Sequence, residues 1–121
     1  MKPSMHIVLI AIATALALCG VAAQSVPTGS AQNGRKIFVR YGCYQCHGRE
    51  AQGGAGTGPR LGPRPVAFAA FTAYVRTPAG QMPPYTNKVV SDQELADMYA
   101  FLQSLPQPPS VKSIPLLEDL K

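Results

Sequence analysis

The chain has 121 residues, with 11 Lys and Arg against 6 Asp and Glu, for a formal charge of +5. That length suits one small domain with a limited core. The basic excess is spread out, with no dense Lys/Arg run and no aromatic interleaving, which excludes the charge pattern of a nucleic-acid-binding protein.

Residues 1–23 read as a secretory signal peptide: Lys2 gives a positive start, Ile7 to Leu18 is an uncharged apolar run, and Val21-Ala22-Ala23 offers small side chains for cleavage. The alternative is a retained membrane anchor, but the apolar run is shorter than the ~20 residues a spanning helix needs. Cys19 raises a third option, lipidation, although Leu18 is larger than the small residue that such processing requires. Residues 24–30 read as a flexible lead-in. Ser30 is a candidate N-cap for a helix from Ala31 to about Tyr41, with Ile37, Phe38 and Tyr41 on its apolar face. Gly34 costs up to ~1 kcal/mol against alanine inside a helix; it marks either a close crossing by another helix or a frayed first turn. Gly42 breaks the helix.

Cys43-Tyr44-Gln45-Cys46-His47 follows at once. Two cysteines three positions apart, then histidine, form the attachment signature of a c-type haem. The two thiols add to two vinyl groups on one edge of the porphyrin, and the adjacent imidazole can reach the iron from beneath. Other readings of the motif fit less well. A thioredoxin-like C-x-x-C needs a βαβ context, and no strand-rich pattern precedes it. A closed zinc site needs four ligands, and beyond the leader the S/N ligands are Cys43, Cys46 and His47. A plain disulfide leaves His47 without a purpose. Exported, haem-bearing protein also agrees with the cysteine usage.

Residues 48–65 carry Gly48, Gly53, Gly54, Gly56, Gly58, Pro59, Gly62, Pro63 and Pro65, a density that regular structure does not survive. Lying between two candidate iron ligands, the stretch reads as a loop over the haem edge. Val66 to Arg76 is helical by spacing, with Phe68, Phe71 and Val75 in one stripe, and Pro78 and Gly80 end it.

Gln81-Met82-Pro83-Pro84-Tyr85 supplies the second candidate ligand. Outside the leader His47 is the sole histidine, so a second imidazole from this chain is excluded, and Met82 and Met98 remain as methionines. Met98 falls in a helical stripe with Leu95, Tyr99 and Leu102, which reads as core filler. Met82 lies in a loop ahead of two prolines, whose fixed φ suits holding a side chain at a set point. The alternative for Met82 is a loop side chain packing on nearby apolar surface.

Ser91-Asp92-Gln93-Glu94 is a capping box, with Ser91 accepting from the Glu94 amide and Glu94 reaching back. It opens an amphipathic helix through about Ser104, stopped by Pro106. Asp92 and Glu94 favour the positive end of the helix dipole. Residues 106–121, with Pro106, Pro108, Pro109 and Pro115, should be an extended Pro-rich tail. Leu116, Leu117 and Leu120 either pack back on the domain or dock a partner, and a loosely held terminus is the plainer reading.

Taken together, the chain resembles a monohaem class I cytochrome c of a bacterial periplasm. The resemblance covers nearly all of residues 31–105. It rests on the helix with Gly34 and Phe38, on Cys43-Tyr44-Gln45-Cys46-His47, on Gly58-Pro59-Arg60-Leu61, on Met82-Pro83, and on the helix with Leu95, Tyr99 and Leu102. It implies an all-α small cytochrome c fold, three or more helices around one covalently bound haem c with long Gly/Pro-rich loops, the first and last helices crossing near Gly34 and Phe38. It implies thioether bonds at Cys43 and Cys46, axial iron ligation by His47 and Met82, and a Pro59 carbonyl that accepts from His47 and raises its basicity. The Arg-rich loop, the Pro-rich tail and the absence of tryptophan depart from many relatives.

The function implied is one-electron transfer in the periplasm between transient redox protein partners, donor and acceptor, with no catalysis of its own, no nucleic acid, and contact with the membrane only through partners or an uncleaved leader. Arg60, Arg64 and Arg76 are candidates for pairing with haem propionates or for docking an acidic partner, against the reading of three solvated surface arginines. Two other classes remain: a dedicated haem subunit of a periplasmic dehydrogenase or oxidase complex, and a haem enzyme or sensor if Met82 is labile.

Overall fold

The computed structural model describes residues 27–118, with side chains up to Leu116. The leader expected over residues 1–23, the first three residues of the lead-in (24–26), and Leu120 lie outside the described residues. Among the described residues the regular structure is helical, and the nearest thing to a strand is an isolated bridge between Gly54 and Gly58. No helix there is long and apolar enough to cross a membrane.

Helix α1 spans Ala31–Arg40. Ser30 caps it, its hydroxyl accepting from the Asn33 amide at 3.2 Å, and it ends where Gly42 takes a φ of +75°, a conformation that favours glycine. One turn, α2 (Tyr44–His47), follows directly. Helix α3 spans Phe68–Arg76, beginning two residues later than the expected start at Val66. Val66 is 64 % exposed, so winding it into the helix would bury nothing. Helix α4 spans Asp92–Ser104 and opens with the complete capping box: the Ser91 hydroxyl accepts from the Glu94 amide, and Glu94 accepts from the Ser91 amide at 2.8 Å. This arrangement satisfies two otherwise orphaned amides.

The tail differs from its extended expectation. Val111–Ser113 forms a 3-10 turn and Pro115–Glu118 a helical turn, α5. Pro115 takes the first position of that turn, where its missing N–H was unbonded in any case. Leu116 is 81 % exposed, so it does not pack back on the domain.

The core is the crossing of α1 on α4. Gly34 is buried there, and a Cβ on it would overlap the Asp97 carbonyl. Glycine lets the two backbones touch, so Gly34 is a crossing residue and not a frayed end. Phe38 and Phe101 then stack 5.5 Å apart beside fully buried Leu95 and Leu102. Helix α3 joins through an aromatic cluster, with Tyr99 lying 5.2 Å from Phe68 and 5.6 Å from Phe71. Met98 is buried in this core, as its stripe suggests.

The end of the lead-in is docked, not loose. Asp97, itself buried, accepts from the Ser30 amide at 2.8 Å, from Asn33 Nδ2 at 2.7 Å and from Gln93 Nε2 at 3.1 Å. Gln93 also donates to the Thr28 carbonyl at 3.1 Å, and Gly29 lies against the Ala96 carbonyl. A buried carboxylate needs such donors, and these ones tie the entry of α1 to α4.

Candidate metal centre

The site is built on α2. Cys43 follows the Gly42 bend with its amide on the Phe38 carbonyl at 3.1 Å, and the His47 amide closes the turn on the Cys43 carbonyl at 3.0 Å. The turn therefore carries both thiols and the imidazole as one rigid unit fastened to the end of α1. No disulfide joins the two cysteines, Cys43 half-buried and Cys46 exposed. Burial pushes the Cys43 thiol up to about 11, the reverse of the activated thiolate of a redox C-x-x-C. Among the described residues no three His, Cys, Asp or Glu side chains converge on one point as zinc ligands do. A flat group gripped at its edge by sulfurs and at its centre by nitrogen requires no such convergence.

His47 is buried, with Nδ1 2.9 Å from the Pro59 carbonyl oxygen. A carbonyl only accepts, so Nδ1 carries the proton and Nε2 keeps the lone pair a metal needs. The Gly/Pro-rich loop presents that carbonyl. The Gly53 amide donates to the His47 carbonyl at 2.8 Å and the Leu61 amide to the Ala51 carbonyl at 2.9 Å, folding the loop back over the imidazole. The Thr57 hydroxyl donates to the Cys46 carbonyl at 2.9 Å. Gly58 presses on the ring, where a Cβ would meet Nδ1 and the Cys46 carbonyl, each at 3.0 Å. Ala51, fully buried at a φ of +48°, and Thr57 were not evident from the chain alone. Their partners are distant backbone atoms, and no residue-type pattern marks such contacts.

Met82 is half-buried and packs on the core, as do Tyr41, Cys43, Tyr44, Leu61, Phe68 and Tyr85. These residues come from five separate segments, and in each case the polypeptide covers the apolar side chain only in part. Burial raises the Tyr85 hydroxyl above its ordinary value, with a further contribution from the Cys43 and Cys46 thiols nearby. The Tyr85 hydroxyl donates to the Tyr41 carbonyl at 3.0 Å, which ties the loop carrying Met82 beside the thiol-bearing turn.

The three arginines separate. Arg60 and Arg64 are exposed and line a cleft of about 210 Å³ with Gln107 and Pro108. Arg76 is different: its guanidinium donates to the Tyr85 carbonyl at 2.8 Å, to the Val90 carbonyl at 2.6 Å and to Asp92 at 2.6 Å. It is neither a solvated surface residue nor a free docking charge.

The residues fit a covalently held haem on the chain's own chemistry: paired thiols on one turn, an imidazole with its proton fixed on the far nitrogen, and a fringe of incompletely covered apolar side chains. Residues 29–102 match the family model described as cytochrome c oxidase, cbb3-type, subunit III. Neither the curated proteins nor the solved structures give a match. The matched stretch runs from the docked lead-in into α4, includes Cys43 and Cys46, and is a class I-like monohaem domain with a covalently bound c-type haem and a small all-α cytochrome fold. The chain belongs to the family of cbb3-type cytochrome c oxidase subunit III.

Proposed function

We propose that this chain is a periplasmic one-electron carrier, with Cys43 and Cys46 as the thioether attachments and His47 and Met82 as the axial ligands of the iron. Bound there, the haem supplies reversible exchange of one electron between Fe(II) and Fe(III). The observation that carries the reading is the His47 Nδ1 to Pro59 carbonyl bond at 2.9 Å, on the same turn as the two thiols. That bond fixes the tautomer and orients the ring, and it makes Nε2 a better donor. A thioether from Met82 favours the reduced metal, so His/Met ligation raises the potential. Were the iron held by His47 and Met82 together, oxygen and peroxide would find no place to bind, and the protein would pass electrons without itself catalysing a reaction. Pro59, Gly58 and Thr57 keep the imidazole in place while the half-covered apolar fringe excludes water from one edge. Redox partners meet a small surface, so the exposed Arg60 and Arg64 act mainly on salt-dependent association rates.

A second reading, favoured by the description of the matching family, places the chain as a haem subunit inside an oxidase complex. Gel filtration of the native protein separates the two: a monomer supports the free carrier, and co-elution with an oxidase supports the subunit. The central reading is tested by the visible spectrum and intact mass of the exported protein. A c-type spectrum with the mass of polypeptide plus haem is expected. A colourless protein with the mass of the bare chain overturns it.

A further inference from the structure

Met82 lies in the stretch between α3 and α4, which has neither helix nor strand. Backbone of that kind opens at low free energy unless something ties it down. Here the tie is Tyr85, three residues beyond Met82. Its amide donates to the Val75 carbonyl at 3.1 Å, its carbonyl accepts from Arg76 at 2.8 Å, and its hydroxyl donates to the Tyr41 carbonyl at 3.0 Å. Tyr41 stands two residues before Cys43, and the two tyrosine rings meet edge to face at 6.4 Å. Arg76, its side chain only 17 % exposed, continues the same frame to Val90 and Asp92. Bonds from an ionised donor are the stronger kind, so one guanidinium closes the segment on both helices.

We propose that Tyr85, held by Arg76, is a strut that sets the separation between the thiol-bearing turn and Met82, and so is a positioning residue for the sulfur ligand. The proposal rests on the reading of Met82 as an iron ligand. Displacement of the sulfur by an outside ligand requires the segment to swing away from Tyr41, which breaks the hydroxyl bond. Removing that bond favours the displaced state by the worth of one hydrogen bond, roughly two- to tenfold in an equilibrium constant.

The test is an imidazole titration of the haem-loaded, oxidised full chain, followed through loss of the sulfur-to-iron charge-transfer band. Tyr85→Phe keeps the ring and should lower the apparent Kd for imidazole by about two- to tenfold, the worth of one hydrogen bond. Arg76→Lys should lower it also, and carries the test if Tyr85→Phe does not fold. Asp97→Asn, which loosens the lead-in at the other face of α4, should leave it unchanged. An imidazole affinity in Tyr85→Phe equal to wild type overturns the strut, as does an equal shift in Asp97→Asn, since that would be general loosening. If the wild-type protein lacks the sulfur-to-iron band, the Met82 ligand itself is wrong and the strut falls with it.

Discussion

Replacing Gly34 by alanine probes the contact on which the fold turns. In an isolated helix the change would stabilise by up to ~1 kcal/mol, since alanine is the better helix former. In this chain the added methyl meets the carbonyl of Asp97, and the atom in its way is backbone, not the end of a flexible side chain. That backbone cannot yield easily: it belongs to α4, and the Asp97 side chain is held by Ser30, Asn33 and Gln93. The helices must separate, loosening Phe38 against Phe101 as well. Overpacking of this kind costs about 1–3 kcal/mol, and a backbone collision belongs at the upper end. After the propensity gain, a net loss of about 2 kcal/mol remains, or roughly 10 °C in Tm for a domain of this size. Thermal unfolding of Gly34→Ala, followed by far-ultraviolet circular dichroism, measures it. The control is Gln32→Ala, on the exposed side of the same helix. A Tm equal to or above wild type would show that α1 and α4 do not touch at Gly34.

Three further outcomes are expected. The Asp97 carboxyl is held below its ordinary value: burial alone would raise it, but donors from the Ser30 amide, Asn33 and Gln93 outweigh that. A lowered folded-state value means stability present above the unfolded pKa and lost as pH falls through the folded one. Asp97→Asn should therefore be less stable at neutral pH and show a flatter acid limb below about pH 4, measured by urea midpoints across pH. Ser91→Ala removes the cap of α4 and should cost about 1 kcal/mol, read as a shifted urea midpoint with no change in visible spectrum. Met82→Ala should abolish the sulfur-to-iron band and lower the potential, whereas Met98→Leu should keep both and cost less than ~1.5 kcal/mol; loss of the band in Met98→Leu instead would reverse the assignment of the two methionines.

What the chain reveals by itself is whatever depends on neighbours in sequence. The Cys43 to His47 spacing, the Ser91–Glu94 box, the Ile37/Phe38 face and the Leu95, Met98, Tyr99, Leu102 stripe each lie within about two helical turns, so periodicity and residue chemistry are enough to read them. Contacts between residues far apart leave no such trace. Asp97 meets Ser30 across 67 positions, so nothing in the lead-in announces that it is docked. Arg76 looks like any helix-terminal arginine until three acceptors from the following segment close on it. Gly34 carried two meanings until α4 came into contact with it. A buried polar group must find partners wherever the packed backbone brings them, and that placement is decided by the crossing of α1 on α4, not by local order along the chain.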